Sequence, residues 1–175
     1  LFAKPSAPAS AVASRISSGV STLDDMLDGG LSCASVTLLI GPSGIGKTSL
    51  GMAFLAASTP QAPGLHFGFY ESPDRLRIKA ASLGYDFAAM EQTQSLTLCW
   101  EPCTQVLLDQ LGARLIEQVQ ATGAKRVLID SLGAWSRLST EPDRLNAFFR
   151  ALTGELRNRE VSVMLTWEMR DIFGA

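Results

Sequence analysis

The feature that most constrains this chain is the segment at residues 41–48, which has the pattern Gly-x-x-x-x-Gly-Lys-Thr. A run of leucine and β-branched residues precedes it, and a run compatible with a helix follows it. Its three glycines permit a tight turn whose backbone N–H groups converge on phosphate oxygens. The next helix would direct the positive end of its dipole at the same anion. The sequence therefore predicts a strand, a phosphate-binding loop and a helix.

Two side chains of this segment have predicted chemical roles. Lys47 is expected to reach the β- and γ-phosphates of a nucleoside triphosphate, which makes it a candidate catalytic residue. The hydroxyl of Thr48 is expected to bind Mg²⁺. The alternative is a glycine-rich turn that precedes Lys-Thr by chance, and the flanking strand and helix patterns favour the nucleotide site over it.

Composition limits the class of protein. With 175 residues, of which 46% are apolar, the chain is large enough for one domain with a substantial core. The net charge of −2 gives no general attraction to nucleic acid or to an anionic membrane. No apolar run approaches the roughly 18 residues of a membrane span, and the three cysteines form no C-x-x-C pair. These features favour reduced thiols and a cytoplasmic location.

The first residues differ in composition from the rest. Residues 1–14 are rich in Ala, Ser and Pro and lack the apolar segment of a signal peptide, so we expect a disordered leader there. Residues 15–175, which contain the glycine-rich loop, are expected to form a single nucleotide-binding domain.

Strand and helix patterns alternate along this domain. The predicted strands lie at residues 36–40, 65–71, 95–101, 126–130 and 161–166. The predicted helices begin near residues 21, 47, 73, 104 and 143, with Ser21 and Ser72 as N-caps and with Gly84 and Gly123 after two of the C-termini. This order predicts the α/β class, with a mostly parallel, doubly wound sheet flanked by helices. Ligands of such sheets lie at the carboxyl ends of the strands.

Three acidic residues lie at the end of a predicted strand or just after it. Asp130 is expected to hold Mg²⁺, and the alternative is a strand-ending Asp that caps the next turn. Glu71 is a candidate catalytic residue that orients or deprotonates the water attacking the γ-phosphate. The alternative for Glu71 is an acid stabilised by the dipole of the following helix. Glu168, together with Thr166, is a candidate phosphate sensor, although a solvated loop position fits this acid better.

Other features have less specific interpretations. His66 is the only histidine and lies in an apolar run, which favours a core or strand-edge position and excludes a histidine-based metal site or catalytic triad. The loop that contains Trp135 and Arg137 either contacts a partner or lies on the surface. A basic cluster is expected on the solvated or subunit-contacting face of a helix: Arg75, Arg77 and Lys79.

Four segments of the chain resemble the KaiC-like branch of RecA-fold ATPases. The most specific are Gly-Val-Ser-Thr-Leu-Asp-Asp-Met-Leu-Asp-Gly-Gly-Leu at residues 19–31 and Glu-Ser-Pro at 71–73 with Ala-Ala-Ser-Leu-Gly-Tyr-Asp at 80–86. The other two are the glycine loop and Arg-Val-Leu-Ile-Asp-Ser-Leu at 126–132. The resemblance covers roughly residues 15–168.

This resemblance implies a RecA-like P-loop core that binds ATP with Mg²⁺. It also implies a homo-oligomer, often a hexameric ring with nucleotide between subunits, and a protein partner in signalling or timing. Carried over by position, it assigns Mg²⁺ to Thr48 and Asp130. It assigns phosphate binding to Pro42, Ser43, Gly44, Ile45, Gly46, Lys47, Thr48 and Ser49.

The chain departs from the family pattern after the second predicted strand of the sheet. Family members have two adjacent glutamates there, whereas this chain has Tyr70 followed by Glu71. Because a phenol, with an ordinary pKa of about 10, is a poor base at neutral pH, hydrolysis is expected to be slow or absent unless Glu71 takes over. The chain starts at Leu1 rather than Met, and the C-terminal part of the core and any arginine finger are expected to lie outside it.

Three functions remain open at this point. The first is an ATPase domain that couples its nucleotide state to oligomer or partner interactions. The second is a nucleotide-dependent scaffold or sensor with little hydrolysis, which Tyr70 favours. The third is a RecA/RadA-like DNA recombination or repair ATPase. The net charge and a content of only four lysines oppose the third, so nucleic acid is not an expected partner.

Overall fold

The computed structural model of the chain describes residues 14–101, 107–136 and 141–169. The described part opens with a small antiparallel sheet of β1 (Arg15–Ile16) and β2 (Leu31–Ser32), and α1 (Ser21–Met26) connects the two strands. The carbonyl of Ser14 accepts a hydrogen bond of 2.8 Å from the N–H of Cys33 beside this sheet. The rest of the predicted leader, residues 1–13, lies outside the described residues.

A larger sheet forms the centre of the domain. Its five strands are β3 (Val36–Gly41), β4 (Gly64–Gly68), β5 (Leu96–Trp100), β6 (Arg126–Asp130) and β7 (Ser162–Glu168). The spatial order is β3-β7-β6-β4-β5, and every neighbouring pair is parallel. The helices around it are α2 (Lys47–Ala56), α3 (Pro73–Ser82), α4 (Phe87–Gln92), α5 (Leu108–Thr122), α6 (Leu132–Ser136) and α7 (Pro142–Asn158).

This architecture confirms the predicted α/β class, a RecA-like core with a parallel sheet flanked by helices. One apolar cluster lies on the side of α5, α6 and α7, and a second lies on the side of α2, α3 and α4. β4 is buried along its whole length, and β6 is buried from Arg126 to Ile129. Both strands are therefore nearly continuous apolar runs in the sequence, as expected for strands covered on both faces. Among the described helices, none is both long and apolar enough to cross a membrane.

The strand register brings the carboxyl ends of the strands to one edge of the sheet. Gly41 pairs with Glu168 across β3 and β7, and Gly68 pairs with both Asp130 and Trp100. The segments that leave β3, β4, β6 and β7 therefore begin side by side. This edge contains the acidic residues singled out in the sequence.

Trp135 corrects one sequence-based interpretation. We expected it in a surface or partner-contacting loop, whereas it lies in α6 and is 0% exposed. Its ring packs against four phenylalanines, namely Phe67, Phe69, Phe148 and Phe149. The prediction is wrong because a helix of little more than one turn leaves no periodic pattern in a sequence. The neighbouring Arg137 lies outside the described residues.

Several element boundaries also differ from the prediction. β4 ends at Gly68 rather than at residue 71, so Tyr70 and Glu71 follow the strand. The N-cap of α1 is Val20 rather than Ser21. The Asp24 carboxylate accepts hydrogen bonds from the Ser17 hydroxyl and the Ser18 N–H. α4 was not predicted, and the predicted start of the helix at residue 104 lies outside the described residues, which show α5 from Leu108.

The opening segment is joined to the sheet through Arg126. This side chain is 6% exposed, and its Nη1 donates hydrogen bonds to the carbonyls of Ser17 at 2.6 Å and Phe54 at 3.2 Å. Its guanidinium also lies 5.0 Å from the centroid of the Phe54 ring. Gly19, with φ of 84°, lies so close to α2 that a Cβ there would be 1.9 Å from the carbonyl oxygen of Ala53. Residues 17–19 are therefore part of the packed domain.

Two of the three cysteines are described. Cys33 and Cys99 are free thiols, as predicted. Burial, together with the charge of Glu101, raises the pKa of Cys99 to about 11, so this thiol is protonated at neutral pH.

Candidate phosphate-binding site

The segment between β3 and α2 forms the predicted glycine loop. Gly44 and Gly46 have φ angles of 84° and 94°, in the left-handed region that glycine adopts without a steric penalty from a Cβ. Gly46 is the N-cap of α2, and this helix has no side-chain cap at its N-terminus. Its first N–H groups therefore face the loop and are suited to bind an anion.

Lys47 is the first residue of α2, and its side chain folds back over the loop. Its Nζ donates hydrogen bonds to the carbonyls of Gly41 at 2.9 Å and Pro42 at 2.7 Å. An ammonium group has three donors, so a phosphate oxygen at the loop can accept the third. The loop is closed on its other side by Ile45, whose Cδ1 lies so near Gly41 that a Cβ there would be 2.2 Å away.

Asp130 connects the loop helix to the centre of the sheet. Its Oδ2 accepts a hydrogen bond of 2.8 Å from the Thr48 hydroxyl, and its Oδ1 accepts one of 2.5 Å from the Thr166 hydroxyl. A carboxylate and a hydroxyl supply hard oxygen donors of the kind that Mg²⁺ prefers. Within the described ranges, no cluster of three or more His, Cys, Asp or Glu residues is placed to hold a metal. This donor set fits an ion that keeps several waters and phosphate oxygens, as Mg²⁺ does.

A cavity of about 480 Å³ opens between the loop and the strand ends. Most of the predicted loop residues line it, whereas Pro42 and Ile45 are not among its lining residues. The three acidic residues singled out in the sequence, Glu71, Asp130 and Glu168, also line it. Its full lining comprises Ser43, Gly44, Gly46, Lys47, Thr48, Ser49, His66, Tyr70, Glu71, Lys79, Asp130, Ser131, Thr166 and Glu168.

The wall of the cavity contains an ion pair that the sequence did not suggest. Lys79 Nζ lies 2.5 Å from Glu71 Oε1, and both side chains line the cavity. Arg77, from the same basic cluster, instead pairs with Asp74 and Glu91 outside the cavity. The side chain of Lys79 is 43% exposed and lines the cavity, a position that the basic cluster in the sequence did not indicate.

Tyr70 and His66 complete this wall. Tyr70 is 52% exposed and stands where the family pattern has its first glutamate. His66 is 2% exposed, which confirms its predicted position in the core. Burial lowers the pKa of His66 and outweighs the opposing charge of Asp130, so the imidazole is neutral at neutral pH.

The structure brings together residues that are far apart in the sequence. Glu168 lines the cavity together with Thr166; it is exposed to solvent as predicted, but it is the last residue of β7 rather than part of a loop. Ser131 and Lys79 line it without having been predicted as site residues. The position of Ser131 directly after Asp130 was the one signal available for it, and no pattern in the sequence pointed to Lys79.

The parallel sheet, the glycine loop before α2 and the contact between Thr48 and Asp130 define the class of P-loop nucleotide-binding domains. Within that class, a family model described as "ATPase: KaiC" matches residues 16–174. The chain belongs to this family.

Individual relatives agree with the family model. The chain is 34% identical over 163 residues to circadian clock oscillator protein KaiC 1 of Synechocystis sp., which covers 92% of this chain and 31% of the relative. It has the same identity and coverage with circadian clock oscillator protein KaiC of Rippkaea orientalis. With KaiC of Acaryochloris marina it is 34% identical over 154 residues, or 87% of this chain and 29% of the relative. The chain thus spans about a third of the length of these relatives.

Proposed function

We propose that this chain is a KaiC-like domain that binds MgATP and hydrolyses it. The observation that carries the proposal is the hydrogen bond between Thr48 and Asp130 beside Lys47, at the mouth of the glycine loop. A glycine-rich turn that binds no ligand does not require a hydroxyl and a strand-end carboxylate to lie together next to an ammonium group. A site for Mg²⁺ and a triphosphate requires all three.

Each part of the loop has a role in this proposal. Backbone N–H groups of residues 43–49 bind the phosphates, and Pro42 and Ile45 shape the loop behind them. Two of the three N–H donors of Lys47 bind the carbonyls of Gly41 and Pro42, and the third contacts the β- and γ-phosphates. Thr48 and Asp130 would hold Mg²⁺, and the ion, when bound, would supply positive charge to offset the charge on the phosphate oxygens.

Glu71 is the proposed residue that orients the attacking water. It lines the same cavity as Lys47, and its side chain is 31% exposed, so its carboxylate is accessible to a water near the γ-phosphate and can accept a proton from it. Tyr70, which precedes it, is not suited to this role because a phenol holds its proton at neutral pH.

A second candidate function is a nucleotide-dependent scaffold that binds ATP and hydrolyses very little. Two observations favour it: the position of Tyr70 on the cavity wall, and the ion pair that occupies Glu71. In both functions, nucleotide binding changes contacts with other copies of the chain or with a protein partner in signalling or timing. Membership of the family supports a homo-oligomeric ring, including a hexamer, as the assembled form. Light scattering with and without nucleotide tests this assembly.

The proposal is tested by measuring nucleotide affinity and steady-state ATP turnover on one sample with Mg²⁺. Calorimetry with ATPγS gives the affinity, and release of inorganic phosphate gives the turnover. We expect both signals, and we expect excess EDTA to remove the turnover because Thr48 and Asp130 then have no ion to hold. Binding without turnover would favour the scaffold, and absence of nucleotide binding would refute both candidates.

Replacing Glu71 with glutamine tests the role of its carboxylate. The variant keeps the size of the side chain and removes its ability to accept a proton, so we expect turnover to fall by about 10²-fold or more with little loss of ATP affinity. Glu91→Gln is the matched control. Glu91 is also in an ion pair and is 25% exposed, close to the exposure of Glu71, but it lies outside the cavity. Unchanged turnover in the Glu71 variant would remove this residue from the mechanism.

A further inference from the structure

We propose that Lys79 binds the γ-phosphate of the nucleotide. To do so, its ammonium group leaves the ion pair with Glu71 and pairs with the phosphate instead. Lys79 thereby makes the site prefer a nucleoside triphosphate over a diphosphate. This inference rests on the proposed function, because it assumes that nucleotide phosphates occupy the cavity beside the glycine loop.

The position of Lys79 sets it apart from the other cations of α3. It lies in the last turn of the helix, and its side chain lines the same cavity as Lys47 and Thr48. Arg77 is held by Asp74 and Glu91, and Arg75 is exposed and does not line the cavity. Lys79 is therefore the member of this cluster whose charge faces the phosphate site.

The charges around the cavity indicate that a cation is needed near the γ-phosphate. Two ammonium groups, of Lys47 and Lys79, face three carboxylates, of Glu71, Asp130 and Glu168. Mg²⁺ would offset Asp130, but a γ-phosphate placed near Glu71 without a nearby cation would meet like charge. Lys79 already neutralises Glu71 at 2.5 Å, and it can turn to the phosphate from the same position.

The present ion pair is suited to exchange. The side chains of Lys79 and Glu71 are 43% and 31% exposed, and ion pairs with this degree of exposure are weak. A phosphate carries more charge than a carboxylate and forms strong charge-assisted hydrogen bonds with an ammonium group. A triphosphate can therefore compete for Lys79, and Glu71 is then released toward the water. A diphosphate lacks the group that reaches this wall and leaves the pair intact.

The test compares dissociation constants for Mg·ATPγS and Mg·ADP, measured by calorimetry on the wild-type chain and on Lys79→Met. We expect the variant to lose affinity for ATPγS by about tenfold or more, since a hydrogen bond to a charged group is lost, and to lose little for ADP. Lys125→Met is the matched control. Lys125 has the same exposure, 43%, and pairs with Glu160 away from the cavity. Lys79→Arg keeps the positive charge and is expected to retain most of the preference for ATPγS.

The same comparison in the Glu71→Gln variant distinguishes a direct contact between Lys79 and the phosphate from neutralisation of Glu71 by Lys79. In Glu71→Gln, Lys79 has no carboxylate to neutralise, yet Lys79→Met is still expected to weaken ATPγS binding selectively. The proposal would be overturned if Lys79→Met weakened the binding of ATPγS and ADP equally. It would also be overturned if Lys79→Met weakened ATPγS binding only when Glu71 is present and not in the Glu71→Gln variant. In both cases the wild-type chain would still bind nucleotide, and the proposed function would stand. Failure of the wild-type chain to bind either nucleotide would overturn both.

Discussion

Replacing Lys47 with alanine is expected to reduce ATP turnover by about 10²–10³-fold, the usual cost of removing one preorganised charge from a reacting site. Lys47 is held over the loop by the carbonyls of Gly41 and Pro42, so its ammonium is positioned before the nucleotide arrives. Its loss therefore removes an interaction that no other side chain of the loop can replace. Release of inorganic phosphate, measured over a range of ATP concentrations, gives the effect on both kcat and KM.

Nucleotide affinity provides the second measurement on this variant. We expect the dissociation constant for Mg·ATPγS to rise along with the loss of turnover, because the β- and γ-phosphates lose their shared contact. Lys125→Ala is the control, since it removes a lysine from an ion pair remote from the cavity. An alanine variant that keeps both wild-type turnover and wild-type affinity would contradict the assignment of the loop as the nucleotide site.

Replacing Trp135 with alanine is expected to lower the free energy of unfolding by about 3–5 kcal/mol, which is a large part of the stability of a typical domain. The indole is fully buried and contacts four phenylalanine rings from β4, from α7 and from the segment after β4. Truncation would leave a cavity at the centre of the larger cluster. Urea unfolding followed by circular dichroism measures the change.

Two companion variants make this stability prediction specific. Trp100 is 46% exposed, so Trp100→Ala is expected to cost about 1 kcal/mol or less. Trp135→Phe keeps most of the ring volume and removes an indole N–H that has no hydrogen-bond partner among the described residues. Its cost should therefore be much smaller than that of alanine, and it reports on packing if the alanine variant does not fold. Similar losses for Trp135→Ala and Trp100→Ala would show that α6 is not part of the core.

The fold could be predicted because most of its elements are long enough to show a pattern. The apolar runs of β4 and β6 indicated strands, and the spacing of apolar residues in α5 and α7 indicated helices with one apolar side. Short elements were missed for the same reason, since α4 and α6 have six and five residues. Trp135 was consequently assigned to a loop although it is the largest fully buried side chain described.

The candidate site could be predicted only as far as its residues lie at fixed distances within a motif. Lys47 and Thr48 could be predicted because they have fixed positions in the loop motif. Asp130 could be predicted because it ends an apolar strand pattern. Lys79 follows Glu71 by eight residues, and the sequence does not reveal that its side chain turns back along α3 to reach that carboxylate. Such contacts depend on where the helix packs, which is decided by the whole sheet.

The hydrogen bond from Arg126 to the carbonyl of Ser17 affects how the protein folds during its synthesis. Ser17 lies 109 residues earlier in the chain than Arg126. At a typical translation rate, roughly 5–20 s pass between the appearance of these two residues. The opening segment therefore leaves the ribosome before β6, and its hydrogen bond with Arg126 can form only after β6 has been made. During that interval, factors that bind nascent chains have access to a segment that is later fixed within the domain.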